Sequence, residues 1–286
     1  MVISKYEAVS ERVMELVRPH ADVLEQTGID EAFLDLTRAS GGDYSAAATL
    51  AKEIKGSILR EERLTCSIGV GRSKAVAKLG SDLSKPDGLK VVPPAETATF
   101  MGPLEVGRLY GVGPKTAKAL EGLGIRTVEE LARADVSVLT DSFGRKLGVY
   151  LRDAAGGLDS EPVRGDLAPT QLSRVITLKE DTTDAEEAMA QLGPALADLA
   201  ARVSAQKTTF RTLAAIAILT DLSTKTRSRT FDTPVNDLAA VRDVLEELFS
   251  QLSETVDREF RRVGVRVSDL SSGQDQKSLG EFMAPW

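Results

Sequence analysis

The sequence predicts an α+β protein built from three successive folded segments. Three observations point there. Amphipathic helices alternate with short apolar strands up to about Val92; a glycine-punctuated helical stretch follows Pro93-Pro94 and runs to about Gly157; and the last segment reads in the order β-α-β-β-α-β.

The elements can be taken in order. A helix is predicted from about Tyr6 to Arg18, with Tyr6, Val9, Val13, Leu16 and Val17 on one face and Pro19 as its stop. An apolar strand, Ile29 to Thr37, lies between Gly28 and the turn formers Ser40-Gly41-Gly42. A second helix, Ser45 to Arg60, carries Ala47, Leu50, Ala51, Ile54 and Ile58 on one stripe and leads into the strand Leu64 to Val70. Helix Ser73 to Leu83, the Lys85-Pro-Asp-Gly88 turn and a short strand to Val92 complete a mixed helix-and-sheet unit. After the helical stretch, Leu158 to Thr170 is turn-rich and reads as a tether. The final unit is predicted as strands 171–178, 212–219, 227–231 and 260–267 with helices 183–205 and 238–252, giving four strands with both helices on one face. Residues after Ser268 read as a flexible tail ending in a short peptide.

Composition narrows the function. The chain of 286 residues has room for two or three compact cores, and no apolar run approaches the eighteen or so residues that cross a bilayer. A cytoplasmic protein with no membrane partner is expected. A single cysteine, Cys66, in the apolar run 64–70 excludes an internal disulfide or a cysteine-based zinc site; it reads as a buried small hydrophobe. One histidine, His20, makes histidine-based metal or triad chemistry a poor fit. The net charge of −7 argues against nucleic acid at first, but the basic residues cluster. Arg72, Lys74, Lys78, Lys85 and Lys90 face only Asp82 and Asp87 in their segment, and Lys207, Arg211, Lys225, Arg227 and Arg229 only Asp221.

Five motifs carry candidate chemistry. In Gly28-Ile-Asp-Glu-Ala-Phe-Leu-Asp35, the adjacent carboxylates Asp30 and Glu31 open an apolar strand. Neighbours on a strand point to opposite faces, so the two can share an ion only where the chain is still turning, as Gly28 allows. Carboxylates suit a hard ion such as Mg²⁺, and nucleotidyl transfer uses two such ions; an exposed acidic turn would use the same residues. Second, Lys74 and Lys78 share a helix face and Lys85 sits in a Pro/Gly turn, as a phosphate-binding lysine or simply a solvated basic surface would.

Third, Leu109-Tyr-Gly-Val-Gly-Pro-Lys-Thr-Ala-Lys-Ala-Leu120 has helix-hairpin-helix spacing. Gly111 and Gly113 let a phosphate approach the backbone, Pro114 starts a helix whose amides point at it, and Lys115, Thr116 and Lys118 add donors. Such a motif binds nucleic-acid backbone without reading sequence. Fourth, Thr224-Lys-Thr-Arg-Ser-Arg229 would project Lys225, Arg227 and Arg229 from one face of a strand, with Thr226 and Ser228 between them; this is a DNA track or a charge-protected sheet edge. Fifth, Gln276, Leu279 and Phe282 in the terminal peptide fall on one side of a helical turn, as in a short anchor peptide.

Taken together and in this order, the motifs resemble the Y-family (translesion) DNA polymerases, the group of bacterial polymerase IV and its archaeal counterparts. The likeness is carried by Tyr6 to Ser10, Ile29 to Asp35, Leu64 to Gly71, Lys74 to Gly88, Gly111 to Leu120, Phe143-Gly144, Gly157 to Asp159, Thr226 to Ser228 and Gly264 to Val267. It implies a partial palm at 1–93 with a mixed sheet, a thumb with the helix-hairpin-helix at 94–158, a tether at 159–169, a little finger at 170–268, and a tail at 269–286. It implies that Asp30 and Glu31 bind catalytic metal, Mg²⁺ with two ions in the complete site, and that Lys85 meets the triphosphate of an incoming dNTP. Gly111, Gly113, Lys115, Thr116, Lys225, Thr226, Arg227, Ser228 and Arg229 would then contact primer-template DNA. Gln276, Leu279 and Phe282 would engage a sliding clamp, although Met283 stands where such peptides often carry a second aromatic.

Members of the family begin with a strand bearing another metal-binding aspartate and with fingers, neither of which precedes Tyr6. The expectation is therefore a shortened, monomeric lesion-bypass polymerase that holds DNA and extends it poorly. The competing readings are a non-catalytic DNA-binding or clamp-associated protein and, more remotely, a helix-hairpin-helix nuclease or glycosylase.

Overall fold

The computed structural model describes residues 3–158, 161–165 and 169–272. By internal contacts the chain divides into two compact units, Met1–Leu167 and Ala168–Trp286.

The first unit opens with helix α1 (Ile3–Val17), which tightens into a single 3₁₀ turn at Arg18–His20, where Pro19 has no N–H to donate. A hairpin follows, made of strands β1 (Val23–Gln26) and β2 (Ala32–Asp35), antiparallel with Gln26 opposite Ala32. The sequence places one strand over 29–37; the structure shortens it and pairs it with an unforeseen partner. The reason is local. The amides of Thr27 and Gly28 donate to the carbonyl of Glu31 at 3.0 and 3.2 Å, so Ile29, Asp30 and Glu31 belong to the connecting turn. The Asp35 carboxylate then accepts from the Thr37 amide at 2.8 Å and turns the chain away.

Helix α2 (Tyr44–Glu62) starts where Asp43 accepts from the amides of Ser45 and Ala46. Its buried stripe Ala47, Ala51, Ile54 and Ile58 repeats every three or four residues. Strand β3 (Ile68–Val70), helix α3 (Lys74–Leu83, capped by Ser73) and strand β4 (Leu89–Val91) form a β-α-β unit whose strands pair in parallel. Gly69 is required there: a Cβ would lie 1.9 Å from the Ala77 carbonyl oxygen, so only glycine lets β3 rest on α3. The expected mixed sheet is present as two separate two-stranded ladders, one antiparallel and one parallel.

Five short helices follow: α4 (Thr97–Met101), α5 (Pro114–Gly122), α6 (Val128–Arg133), α7 (Val136–Phe143) and α8 (Arg145–Ala155). Thr127 and Glu130 close a capping box on α6. The sequence sets this stretch apart at Pro93-Pro94, yet one hydrophobic cluster crosses that point and joins Ala75, Val76 and Leu79 of α3 to Val92, Met101, Leu120, Leu131, Leu139 and Leu151. The cause is the stripe on α3, buried against helices that come later in the chain. A smaller cluster of Met14, Val17, Leu24, Ile54 and Ile58 holds α1, β1 and α2 together.

The second unit contains β5 (Gln171–Thr182), α9 (Ala185–Gln191), α10 (Gly193–Ala205), β6 (Thr208–Leu219), β7 (Thr224–Val235), α11 (Arg242–Thr255), β8 (Phe260–Ser268) and the two-residue β9 (Ser271–Ser272). The predicted helix 183–205 is two helices, because Pro194 can only begin one. The main ladder is antiparallel in the order β5-β8-β6-β7, which makes β7 an edge strand. Its core cluster takes alternate residues, Leu213, Ala215, Ala217 and Leu219 from β6 and Val263, Val265 and Val267 from β8, against Leu199, Leu245, Leu248, Phe249 and Leu252 of the helices. No helix of the described residues is long and apolar enough to cross a membrane.

Candidate active site and nucleic-acid interface

Asp30 and Glu31 sit at the tip of the β1–β2 hairpin, both exposed. The tip is braced from below: the Gln26 side-chain amide donates to the Gly28 carbonyl at 3.0 Å and to the Ser10 hydroxyl at 3.1 Å. Glu31 is bonded to the Lys78 ammonium. Lys78 also lies 3.6 Å from Asp82, and Asp82 is 2.7 Å from Lys85, so Glu31, Lys78, Asp82 and Lys85 form a ladder of alternating charge that runs from the hairpin tip across α3 to the turn after it. Burial by itself would lower the Lys78 pKa; its bonds to Glu31 and Asp82 outweigh that and raise it above the ordinary lysine value. Asp82 shows the mirror case, with burial opposing and the two lysines winning, so its carboxyl is held below its usual range. Among the described residues no group of three or more His, Cys, Asp or Glu could hold a metal. The donor chemistry still fits: Mg²⁺ commonly takes one or two carboxylates and fills its remaining positions with water and substrate phosphate.

Lys74, four residues before Lys78 on α3, has a different setting. Its side chain is 8% exposed, its Nζ lies 2.6 Å from Glu25 on β1, and it stands 5.7 Å above the Phe33 ring. Burial pushes Glu25 up, but the Lys74 bond and the Arg164 amide at 2.8 Å bring its carboxyl below the usual range. Sequence reasoning missed Glu25 because it missed β1. The Phe33 ring in turn meets Tyr110 edge-on at 5.6 Å, which ties the hairpin to the glycine loop of the helix-hairpin-helix.

In that loop Gly111 adopts φ +82°, and a Cβ there would lie 2.9 Å from the Tyr150 hydroxyl oxygen. Tyr150 donates to the Tyr110 carbonyl at 2.6 Å and so supports the loop from beneath. Gly113 has open space where a Cβ would point. Pro114 starts α5, no side chain caps it, and Lys115 is exposed beside the half-buried Thr116. First-turn amides without intrahelical partners, backed by the helix dipole, make a phosphate seat.

On β7 the alternation is as expected, and the structure shows which face each set takes. Lys225, Arg227 and Arg229 pair with Ala217, Ala215 and Leu213, so they stand on the helix-covered side. There Arg229 bonds Glu247 at 2.7 Å and Arg227 bonds Thr255 at 3.3 Å, both on α11. Thr226 and Ser228 fall on the opposite, helix-free face. That face is completed by Thr212, Ala214 and Ile216 of β6, Arg262, Gly264 and Arg266 of β8, and Ser173 and Thr177 of β5. The Arg266 Nε is buried and has no hydrogen-bond partner.

Cys66 is half-buried and free, and burial raises its thiol pKa, with Lys55 opposing and Asp87 adding to the shift. Gln276, Leu279 and Phe282 lie outside the described residues.

Comparison with known proteins places this arrangement. Residues 2–82 match the impB/mucB/samB family, 94–125 the helix-hairpin-helix motif of that family, and 169–279 its C-terminal domain. The chain is 38% identical over 283 residues to the DNA polymerase IV of Methanosarcina acetivorans, covering 97% of this chain and 77% of that protein. It is 32% identical to the DNA polymerase IV of Nitrosopumilus maritimus, over 97% of this chain and 76% of the relative. Among solved structures, a Y-family chimera of Dbh and Dpo4 superposes with a TM-score of 0.85 at 31% identity, covering 94% of this chain and 77% of that one. The insertion ternary complex of Dbh DNA polymerase superposes at 0.61, also with 31% identity and the same two shares. With a helix-hairpin-helix, a hairpin-tip carboxylate pair and relatives matched over nearly its whole length, the chain belongs to the Y-family DNA polymerases of the DNA polymerase IV type.

Proposed function

We propose that this protein is a template-directed, lesion-bypass DNA polymerase and that the hairpin tip is where it transfers nucleotides. The single observation that carries the reading is the hairpin itself, which sets Asp30 and Glu31 side by side at a turn and leaves both reachable from solvent. Polymerases of this family use divalent metal ions. The finer assignment is Mg²⁺, with two ions, held in part by Asp30 and Glu31; when bound, such ions lower the pKa of the attacking hydroxyl and offset charge on the leaving phosphates.

The chain's own groups do the remaining work. Lys85, with its side chain 56% exposed, can turn from Asp82 to the triphosphate of a dNTP. Gly111, Gly113 and the first amides of α5 grip a DNA phosphate, with Lys115 and Thr116 beside them. The helix-free face of the second unit supplies hydroxyls from Thr226 and Ser228 and cations from Arg262 and Arg266. Lys225, Arg227 and Arg229 add positive potential from the strand edge, the two arginines through side chains already bonded to α11. In this reading residues 1–93 act as palm, 94–158 as thumb and 170–268 as little finger. Gln276, Leu279 and Phe282 dock on a sliding clamp, and the protein works as a cytoplasmic monomer.

The test is primer extension opposite a template lesion with Mg²⁺ and dNTPs, comparing this chain with Asp30→Ala and Glu31→Ala. Metal-dependent extension that either substitution removes supports the reading. One observation favours a second reading, a DNA-binding protein without catalysis: the described residues offer two carboxylates at the site, and one is already bonded to Lys78. Salt-sensitive DNA binding without metal-dependent extension would favour it.

A further inference from the structure

Resting on the assignment of Glu31 as a metal ligand, we infer that Lys78 and Asp82 are positioning residues that hand Glu31 over to the metal: Lys78 occupies the carboxylate while the site is empty, and Asp82 takes Lys78 back when the ion arrives.

The geometry has three parts. Lys78 reaches Glu31 across 47 positions of sequence, from α3 to the hairpin tip, so the contact is tertiary rather than a by-product of helix spacing. Asp82 lies one helical turn further on, 3.6 Å from the same ammonium, and Lys85 lies 2.7 Å beyond it. Residues 78 and 82 are four apart on one stripe of α3, and Lys85 lies three further on, in the turn that follows the helix. The ladder alternates in sign from end to end, with each inner member touching two opposite charges.

Both ends of this ladder are the groups that substrates need. A divalent ion draws Glu31, and a triphosphate draws Lys85. Were each to leave, Lys78 and Asp82 would remain as a pair four residues apart on a helix, with neither charge stranded. Without Asp82, Lys78 would have only Glu31 to bond and would release it less readily. Without Lys78, Glu31 would be free to the first ion that came. The two substitutions therefore push metal affinity in opposite directions, whereas loss of support for the hairpin would weaken binding in both.

The test is Mn²⁺ binding to the full chain, followed by electron paramagnetic resonance, for the parent, Lys78→Gln, Lys78→Arg, Asp82→Asn and Glu31→Ala. Lys78→Gln should bind Mn²⁺ more tightly, by up to about fivefold for a partly exposed pair, and Asp82→Asn more weakly, by roughly twofold. Lys78→Arg, which keeps the charge, should stay near the parent. In nitrogen-15 spectra the Lys78 ammonium signal of the parent should move when Mg²⁺ is added. Weaker binding in Lys78→Gln, or a Lys78 signal indifferent to Mg²⁺, overturns the handover. Failure of the underlying assignment looks different: Glu31→Ala would then bind Mn²⁺ as the parent does.

Discussion

The pair Lys74–Glu25 offers a stability prediction whose size follows from burial. Lys74 is 8% exposed and Glu25 17%, with 2.6 Å between their charged atoms. Replacing Lys74 by Met keeps the stem's volume and its packing on Phe33 but removes the cation, leaving Glu25 with the Arg164 amide as its hydrogen-bond donor. Breaking a buried ion pair from one side costs about 3–5 kcal/mol, and the residual exposure of Glu25 puts this case near the lower end. At about 2–4 °C per kcal/mol for a domain of this size, the melting transition of the first unit should fall by roughly 6–12 °C.

The pH dependence has a definite sign. The folded-state pKa of Glu25 is depressed, so its contribution is fully present above the unfolded carboxylate value and is lost as pH falls through the folded one. The gap between parent and Lys74→Met should therefore narrow in acid. Substituting both partners, Lys74→Met with Glu25→Leu, removes the stranded charge and should recover most of the loss. Urea titrations followed by circular dichroism on the full chain measure all of this. A single substitution costing less than about 0.5 kcal/mol, or a double less stable than the single, would refute the reasoning.

Three further outcomes are expected. Gly111→Ala combines φ +82° with a Cβ 2.9 Å from Tyr150, so it should destabilise the first unit by at least about 1 kcal/mol and weaken DNA binding, both readable by melting and fluorescence anisotropy. Gly113→Ala meets open space at φ −83°, so melting should be unchanged while affinity for duplex DNA falls, because in the proposed contact the added methyl stands where a phosphate would approach. Arg266→Gln removes an Nε that has no partner, so it should leave stability within about 0.5 kcal/mol of the parent and lower the salt slope of DNA binding by about one.

Much of the fold could be read from periodicity because the long elements carry strong patterns. The stripe of α2 and the alternation of β6 and β8 are clear in the residues. What escaped was decided by contacts distant in sequence. β1 is four residues with a polar second half, and it becomes a strand only because β2 folds back on it. The core crossing Pro93-Pro94 was hidden because a proline pair marks a break in the chain and says nothing of what packs around it.

Adjacency singled out Asp30 and Glu31 as candidates, and glycine spacing did the same for 111 and 113. The Lys78 contact with Glu31 is tertiary and left no local trace. Alternation told which β7 residues share a side but not which side the helices cover, so the arginines' partners on α11 came only with the structure.

The claim on which the rest depends is that a divalent ion sits at the hairpin tip, against the end of a DNA strand. Fe²⁺ placed in the DNA-bound protein and triggered with ascorbate cuts whatever lies beside it. Cuts in the protein backbone around residues 28–32 and at the primer 3′ end, both lost in Asp30→Ala, are predicted. Cutting at other segments, or a pattern that Asp30→Ala leaves intact, would contradict it.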